Sequence, residues 1–126
     1  MFGRSRLFLE TVGGFGAISG KQNQIEGYFE KGQSVILVED LISSGKSSLE
    51  AAATLKEGGM KVKGIVSIFT YGFDAATENF INADCEYVSL CDYNTLLLQA
   101  IASQYIEKAD LSVLGECREN PVIWGK

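Results

Sequence analysis

Two adjacent acids, Glu39 and Asp40, follow four apolar residues, Val35 to Val38, and precede Leu41-Ile42 and a small hydroxyl-rich loop, Ser43-Ser44-Gly45-Lys46-Ser47. An uninterrupted apolar run reads as a strand buried on both faces, as in a parallel sheet. Acids at the carboxyl end of such a strand lie in the crevice where open α/β sheets take up ligands. A Ser/Gly loop that opens a helix turns backbone N–H groups toward an anion. Carboxylates suit hydroxyls and N–H groups suit a phosphate, so the pattern describes a site for a sugar phosphate.

Each part also has a plainer reading. Adjacent acids often mark no more than a solvated strand end, and serines before a helix often act as caps. The order of the parts, acids then Leu41-Ile42 then the loop, weighs against both. Gly45-Lys46-Ser47 also imitates the end of a P-loop, but that motif needs glycine at position 40, where this chain has Asp. An acid there repels nucleotide phosphates, which makes a P-loop-like nucleotide binder a distant alternative.

The surrounding pattern supplies the elements that would position such a site. Gly45 to Glu57 reads as a helix with Leu49, Ala52, Ala53 and Leu55 as its apolar stripe, ended by Gly58-Gly59. Lys63 to Phe69 reads as a second buried strand, Phe73 to Ala83 as a helix through Ala76, Phe80 and Ala83, and Glu86 to Leu90 as a third strand. Asp92 is placed to cap a helix carrying Leu96, Leu97, Ala100 and Ile101, and a last helix runs from about Lys108 to Glu119. Alternating strands and helices predict a parallel α/β sheet with right-handed crossovers. The first twenty residues stand outside this rhythm. Gly13 to Gly16 reads as a flexible loop, and Leu7-Phe8-Leu9 as an edge strand.

Composition narrows the classes. The chain has 126 residues, enough for one domain with a core, and 46% hydrophobic content fits a soluble globular protein. No apolar run reaches membrane-spanning length; no membrane association is expected, and the simplest address is the cytoplasm. A net charge of −5 argues against a nucleic-acid face. The absence of His excludes a His general base. Cys85, Cys91 and Cys117 lack metal-type spacing and read as reduced, partly buried thiols.

The acids and loop resemble the 5-phosphoribosyl-1-pyrophosphate (PRPP) signature of the type I phosphoribosyltransferases. The flanking segments, in order, are Asn23-Gln24-Ile25-Glu26-Gly27, Lys31-Gly32-Gln33, Ile68-Phe69-Thr70-Tyr71-Gly72-Phe73, Leu90 to Leu97, Tyr105-Ile106 and Asn120 to Trp124. In that order they resemble the carboxyl-terminal part of a bacterial orotate phosphoribosyltransferase. The resemblance implies that Glu39, Asp40, Leu41, Ile42, Ser43, Ser44, Gly45, Lys46 and Ser47 bind PRPP. The acids would take the ribose hydroxyls and the loop the 5-phosphate, with Ser43 also approaching orotate. It further implies Mg²⁺ as cofactor and a homodimer. Thr70 and Tyr71 are weaker candidates for the base pocket, while Asp92, Tyr93 and Trp124 read as capping and packing residues. Lys46 departs from the small residue usual there, and either crowds the loop or adds a cation beside the phosphate.

The resemblance also implies parts this sequence does not match. The expected organisation is a divergent segment, 1–20, and a partial phosphoribosyltransferase domain, 21–126, lacking the hood and first core elements of the family. Thr11 to Gly20 contains neither the lysines nor the His-Gly pair of the family's mobile loop. Lys21 is displaced from the catalytic lysine, so no catalytic residue is assigned. The chain is therefore expected to be either a piece of such an enzyme, set off by a shifted frame or an alternative start, or a short noncatalytic phosphoribosyl-binding module.

Overall fold

The computed structural model describes residues 7–11, 14–19, 24–26 and 30–121. Three parallel strands form its centre: β4 (Ser34–Ile42), β5 (Lys61–Thr70) and β6 (Tyr87–Asp92). Helix α1 (Lys46–Glu57) links β4 to β5, and α2 (Asp74–Asn82) links β5 to β6. Helix α3 (Tyr93–Ala102) follows β6 directly. A 3-10 turn at Lys108–Asp110 then leads into α4 (Leu111–Glu119). The strand–helix alternation expected from periodicity is present in that order.

The amino-terminal expectation needs correction. Leu7–Thr11 forms β1, but it is an interior strand, antiparallel to β4 through Phe8↔Val38 and Leu9↔Leu37. Gly14–Ser19 is strand β2 rather than a loop, and Gln24–Glu26 is β3. All six strands share one sheet in the order β3-β2-β1-β4-β5-β6. The sheet is mixed: its amino-terminal half is an antiparallel meander attached to the parallel centre. Lys21, Asn23 and Trp124 lie outside the described residues.

The core lies on one side of the central strands. Val35, Leu37 and Ile65 meet Ala51, Ala52 and Leu55 of α1 and Ala76 and Phe80 of α2, all buried. Two successive right-handed crossovers put both helices on the same face. The apolar run of β4 is therefore not buried on both sides, contrary to expectation. It alternates, with Val35, Leu37 and Glu39 covered while Ile36 is 42% exposed. Ile68, Val88 and Leu90 are also exposed on β5 and β6.

Within α1 the buried stripe is Ser48, Ala51, Ala52 and Leu55; Ala53 faces solvent. In α2 the stripe ends at Phe80, and Ala83 is exposed. Phe80 stacks on Tyr87 with ring centroids 4.2 Å apart, tying α2 to β6. The three cysteines are free and half-buried, as expected. Among the described residues no helix is long and apolar enough to cross a membrane.

This one-sided core makes a clear contrast. Leu37→Ala, at a position with no exposed surface, should cost about 2–5 kcal/mol in a urea melt. Leu90→Ala, on the uncovered face, should change stability by less than about 0.5 kcal/mol.

Candidate functional site

The carboxyl end of β4 positions the predicted site. Neighbouring strand residues point to opposite faces, so Glu39 and Asp40 diverge. Glu39 is 1% exposed and lies under α1, while Asp40 is exposed on the other side. The alternation places the two carboxylates on opposite faces of the strand. Asp40 is the exposed member of the pair.

Glu39 instead holds the helix that follows the loop. Its Oε2 accepts a hydrogen bond from Ser48 Oγ at 2.6 Å. Its Oε1 is buried with no hydrogen-bond partner among the described residues. Burial pushes the Glu39 pKa up to about 7; the Ser48 hydroxyl opposes this and the charge of Asp40 adds to it. Next to Glu39 on the sheet, the buried hydroxyl of Ser67 is hydrogen-bonded to Ser89. The polar row is thus Glu39 and Ser67, both buried, and half-buried Ser89, with Ser48 above it.

The loop Ser43 to Gly45 leaves the sheet and becomes α1. Leu41 is half-buried and Ile42 buried, anchoring its start to the sheet. Gly45 takes φ +75°, and a Cβ there would overlap the Phe80 ring. Only glycine satisfies both the left-handed backbone and the close ring. Asn79 Nδ2 donates to the Ser44 carbonyl at 2.9 Å, pinning the loop to α2. Ser43 and Ser47 are exposed and Ser44 is half-buried.

Among the described residues no side chain caps the amino end of α1, and no acid lies in its first turn. The capping role open to the serines is therefore not the one they play. Unsatisfied N–H groups and the positive end of the helix dipole are left facing the loop. Lys46 is the first residue of α1, exposed, and does not have the left-handed backbone that would penalise its side chain.

A second group of side chains surrounds the end of β5. Thr70 is buried; its Oγ1 donates to the Ile42 carbonyl and accepts from the Gly72 N–H, so it fastens a turn rather than facing a cleft. Tyr71 stacks on Phe73 with centroids 5.2 Å apart, and also meets Phe69 and Tyr93. Tyr93 is half-buried and donates to the Leu114 carbonyl. Asp92 caps α3 by accepting from the Thr95 N–H at 2.9 Å, as its position predicted. Arg118 of α4, which no local pattern singles out, donates to the Tyr71 and Gly72 carbonyls. Among the described residues no group of three His, Cys, Asp or Glu side chains could hold a metal ion.

The chain is 48% identical over 107 residues to the orotate phosphoribosyltransferase of Cytophaga hutchinsonii, covering 85% of this chain and 51% of that protein. It is likewise 48% identical over 102 residues to the Bacillus subtilis enzyme of the same name, covering 81% and 47%. The chain is a relative of the orotate phosphoribosyltransferases. It spans about half the length of the curated relatives it matches. No protein-family model matches it.

The fold agrees with that kinship. The orotate phosphoribosyltransferase of Mycobacterium tuberculosis in complex with inorganic phosphate superposes with a TM-score of 0.58 at 26% identity, over 64% of this chain and 46% of that one. UMP synthase of Leishmania donovani gives 0.59 at 28% identity, over 68% and 19%. The adenine phosphoribosyltransferase of that organism, at 24% identity and a TM-score of 0.51, shows the shared type I phosphoribosyltransferase fold alone.

The buried acid has a measurable signature. Glu39 binds its proton more tightly in the folded chain, near pH 7, than at its ordinary value of 4.5. Its contribution to stability is therefore fully present below about pH 4.5 and is lost as pH rises through about 7. The full span is roughly 3 kcal/mol at about 1.4 kcal/mol per unit. Denaturant melts between pH 4.5 and 8.5 should show Glu39→Gln flattening that decline and exceeding the parent in stability at pH 8. Gly45→Ala should cost at least about 1–3 kcal/mol through its left-handed backbone and the Phe80 clash, read in the same melts.

Proposed function

We propose that this chain supplies the PRPP-binding portion of an orotate phosphoribosyltransferase. The observation that carries the reading is the uncapped amino end of α1, opened by the Ser43–Ser47 loop beside an exposed Asp40. Two further facts support it. The M. tuberculosis relative has been solved with inorganic phosphate and with PRPP. The named curated relatives are orotate phosphoribosyltransferases.

In this reading the backbone N–H groups from Ser43 through Ser47 hold the 5-phosphate, with Lys46 adding positive charge. Asp40 accepts from the ribose hydroxyls. Glu39 acts one layer below, holding the first turn of α1 through Ser48. Ser43 lies where the phosphate loop meets the base. The reaction joins a ring nitrogen of orotate to the anomeric carbon of PRPP as the bond to pyrophosphate breaks, giving orotidine 5-phosphate and pyrophosphate in UMP synthesis. Positive charge builds on the ribose, and the negative charge of Asp40 steadies it. The grip on the remote phosphate is spent on positioning the reacting carbon.

The residues fit Mg²⁺ in one way only. With no cluster of acids among the described residues, the ion would be held mainly by substrate oxygens and water, with Asp40 the exposed carboxylate nearest that arrangement. Bound there, it would neutralise the departing pyrophosphate. A homodimer and a cytoplasmic location accompany the reading. A noncatalytic phosphoribosyl-binding module has the same geometry, and only turnover separates the two. The described residues include no lysine matched to the family's catalytic one.

Titration calorimetry should show PRPP with Mg²⁺ binding and ATP with Mg²⁺ failing to bind. Asp40→Asn should weaken PRPP about 10- to 100-fold, the worth of a hydrogen bond to a charged group. An unchanged affinity in that variant would remove Asp40 from the site. Orotate-dependent release of pyrophosphate would decide for the enzyme over the module.

A further inference from the structure

Beside the phosphate loop lies a cleft of about 500 Å³, bounded by Ser43 and Ser44 on one side, the Gly72-Phe73 turn on another, and Arg118 from the end of α4. It joins three parts of the chain that are far apart in sequence. We propose that Arg118 is the specificity-determining residue of this cleft and grips the carboxylate of the pyrimidine that accepts the ribose phosphate. The inference rests on the phosphoribosyltransferase reading and adds to it a residue that recognises the acceptor.

The guanidinium is already oriented. Arg118 Nε donates to the Tyr71 carbonyl at 3.0 Å, and Nη2 donates to the Gly72 carbonyl at 2.7 Å. These bonds use two of the five N–H groups that an arginine offers. The described residues provide no hydrogen-bond partner for Nη1. A guanidinium fixed along one edge presents its remaining donors in a plane, the geometry that carboxylates accept best. Gly72 has φ +64°, and a Cβ at this position would come within 3.4 Å of Nη2. The left-handed backbone of this turn, which favours glycine, carries the carbonyl that Arg118 Nη2 bonds.

The cleft also suits a flat ring. Phe73 lines it and stacks on Tyr71 at an interplanar angle of 4°, while Tyr71 is braced by Phe69 and Tyr93. This aromatic group gives the turn a stiff, apolar wall. Ser43 and Ser44 supply polar groups opposite. A planar ring with one carboxylate satisfies both the wall and the cation.

Acids near the arginine weigh against an anion and must be counted. Asp74 and Glu119 line the cleft, and the charge of Arg118 is also felt by Asp92. All three are exposed, and Asp92 is occupied in capping α3. Water screens exposed charges strongly, whereas Arg118 is half-buried and its field is less screened. The acids therefore moderate the site without cancelling it.

The test uses the full chain with three titrations: PRPP with Mg²⁺, and orotate or uracil in the presence of ribose 5-phosphate. Uracil is the same ring without the carboxylate. The chain should prefer orotate to uracil by at least about tenfold, the worth of a charged hydrogen bond. Arg118→Met should reduce that preference below about threefold, while PRPP affinity stays within about twofold. Arg118→Lys should recover part of the preference. Arg118→Gln, which retains a donor for the Tyr71–Gly72 turn, should lose the preference while keeping the fold, and it serves if the methionine variant does not fold. A preference that survives in folded Arg118→Gln overturns the assignment. So does an unmodified chain that binds PRPP yet ignores the carboxylate; in both cases the PRPP site stands. If neither PRPP nor orotate binds, both readings fall together.

Discussion

A carboxyl group cut off from water organises the region where the central strand ends. Glu39 is held beneath α1 and bonded to Ser48, so the direction of the helix is coupled to the direction of the strand through a single short contact. Burying a polar group is tolerated only when it is bonded or neutral. Glu39 combines both, with one oxygen bonded and its proton retained to about pH 7. The arrangement puts a buried polar cluster under the very turn whose backbone must be aimed. An apolar residue there would pack more cheaply but would not fix the first turn of α1 to the end of β4. Asp40, one residue on, gains its exposure from the same alternation that buries its neighbour.

The sheet gives that end of β4 its setting, and it is lopsided. Two crossovers of one hand carry α1 and α2 to the same side, where they meet Leu37, Val35 and Ile65. The opposite surface of β4, β5 and β6 presents Ile36, Ile68, Val88 and Leu90 to solvent. Parallel sheets are ordinarily covered on both faces. The relatives are about twice the length of the aligned region, and uncovered apolar surface of this kind favours association.

Much of this was readable in the sequence, because local signals were strong. Period-3.6 patterns marked α1 and α2, glycines marked the end of α1, and Asp92 marked the start of α3. The reading failed where distant parts of the chain decide the outcome. An apolar run reveals that a strand is compatible with burial, not how many of its faces find a cover. Gly13 to Gly16 suggested a loop, yet pairing with Leu7–Thr11 draws Gly14 to Ser19 into a strand. The divergence of Glu39 and Asp40 was available from strand alternation alone, but the paired-acid motif hid it. Arg118 left no local signal: it reaches a turn 46 residues earlier in the chain.

The bond from Asn79 to the Ser44 carbonyl has a mechanical meaning. Its donor sits on α2, one residue before the phenylalanine ring that fills the space beside Gly45. Bond and ring together clamp the bend from the same helix. The bend is therefore borne as a passenger on α2, and through the Phe80–Tyr87 stack the same helix is tied in turn to the far strand, so bend, helix and strand form one continuous train of contacts.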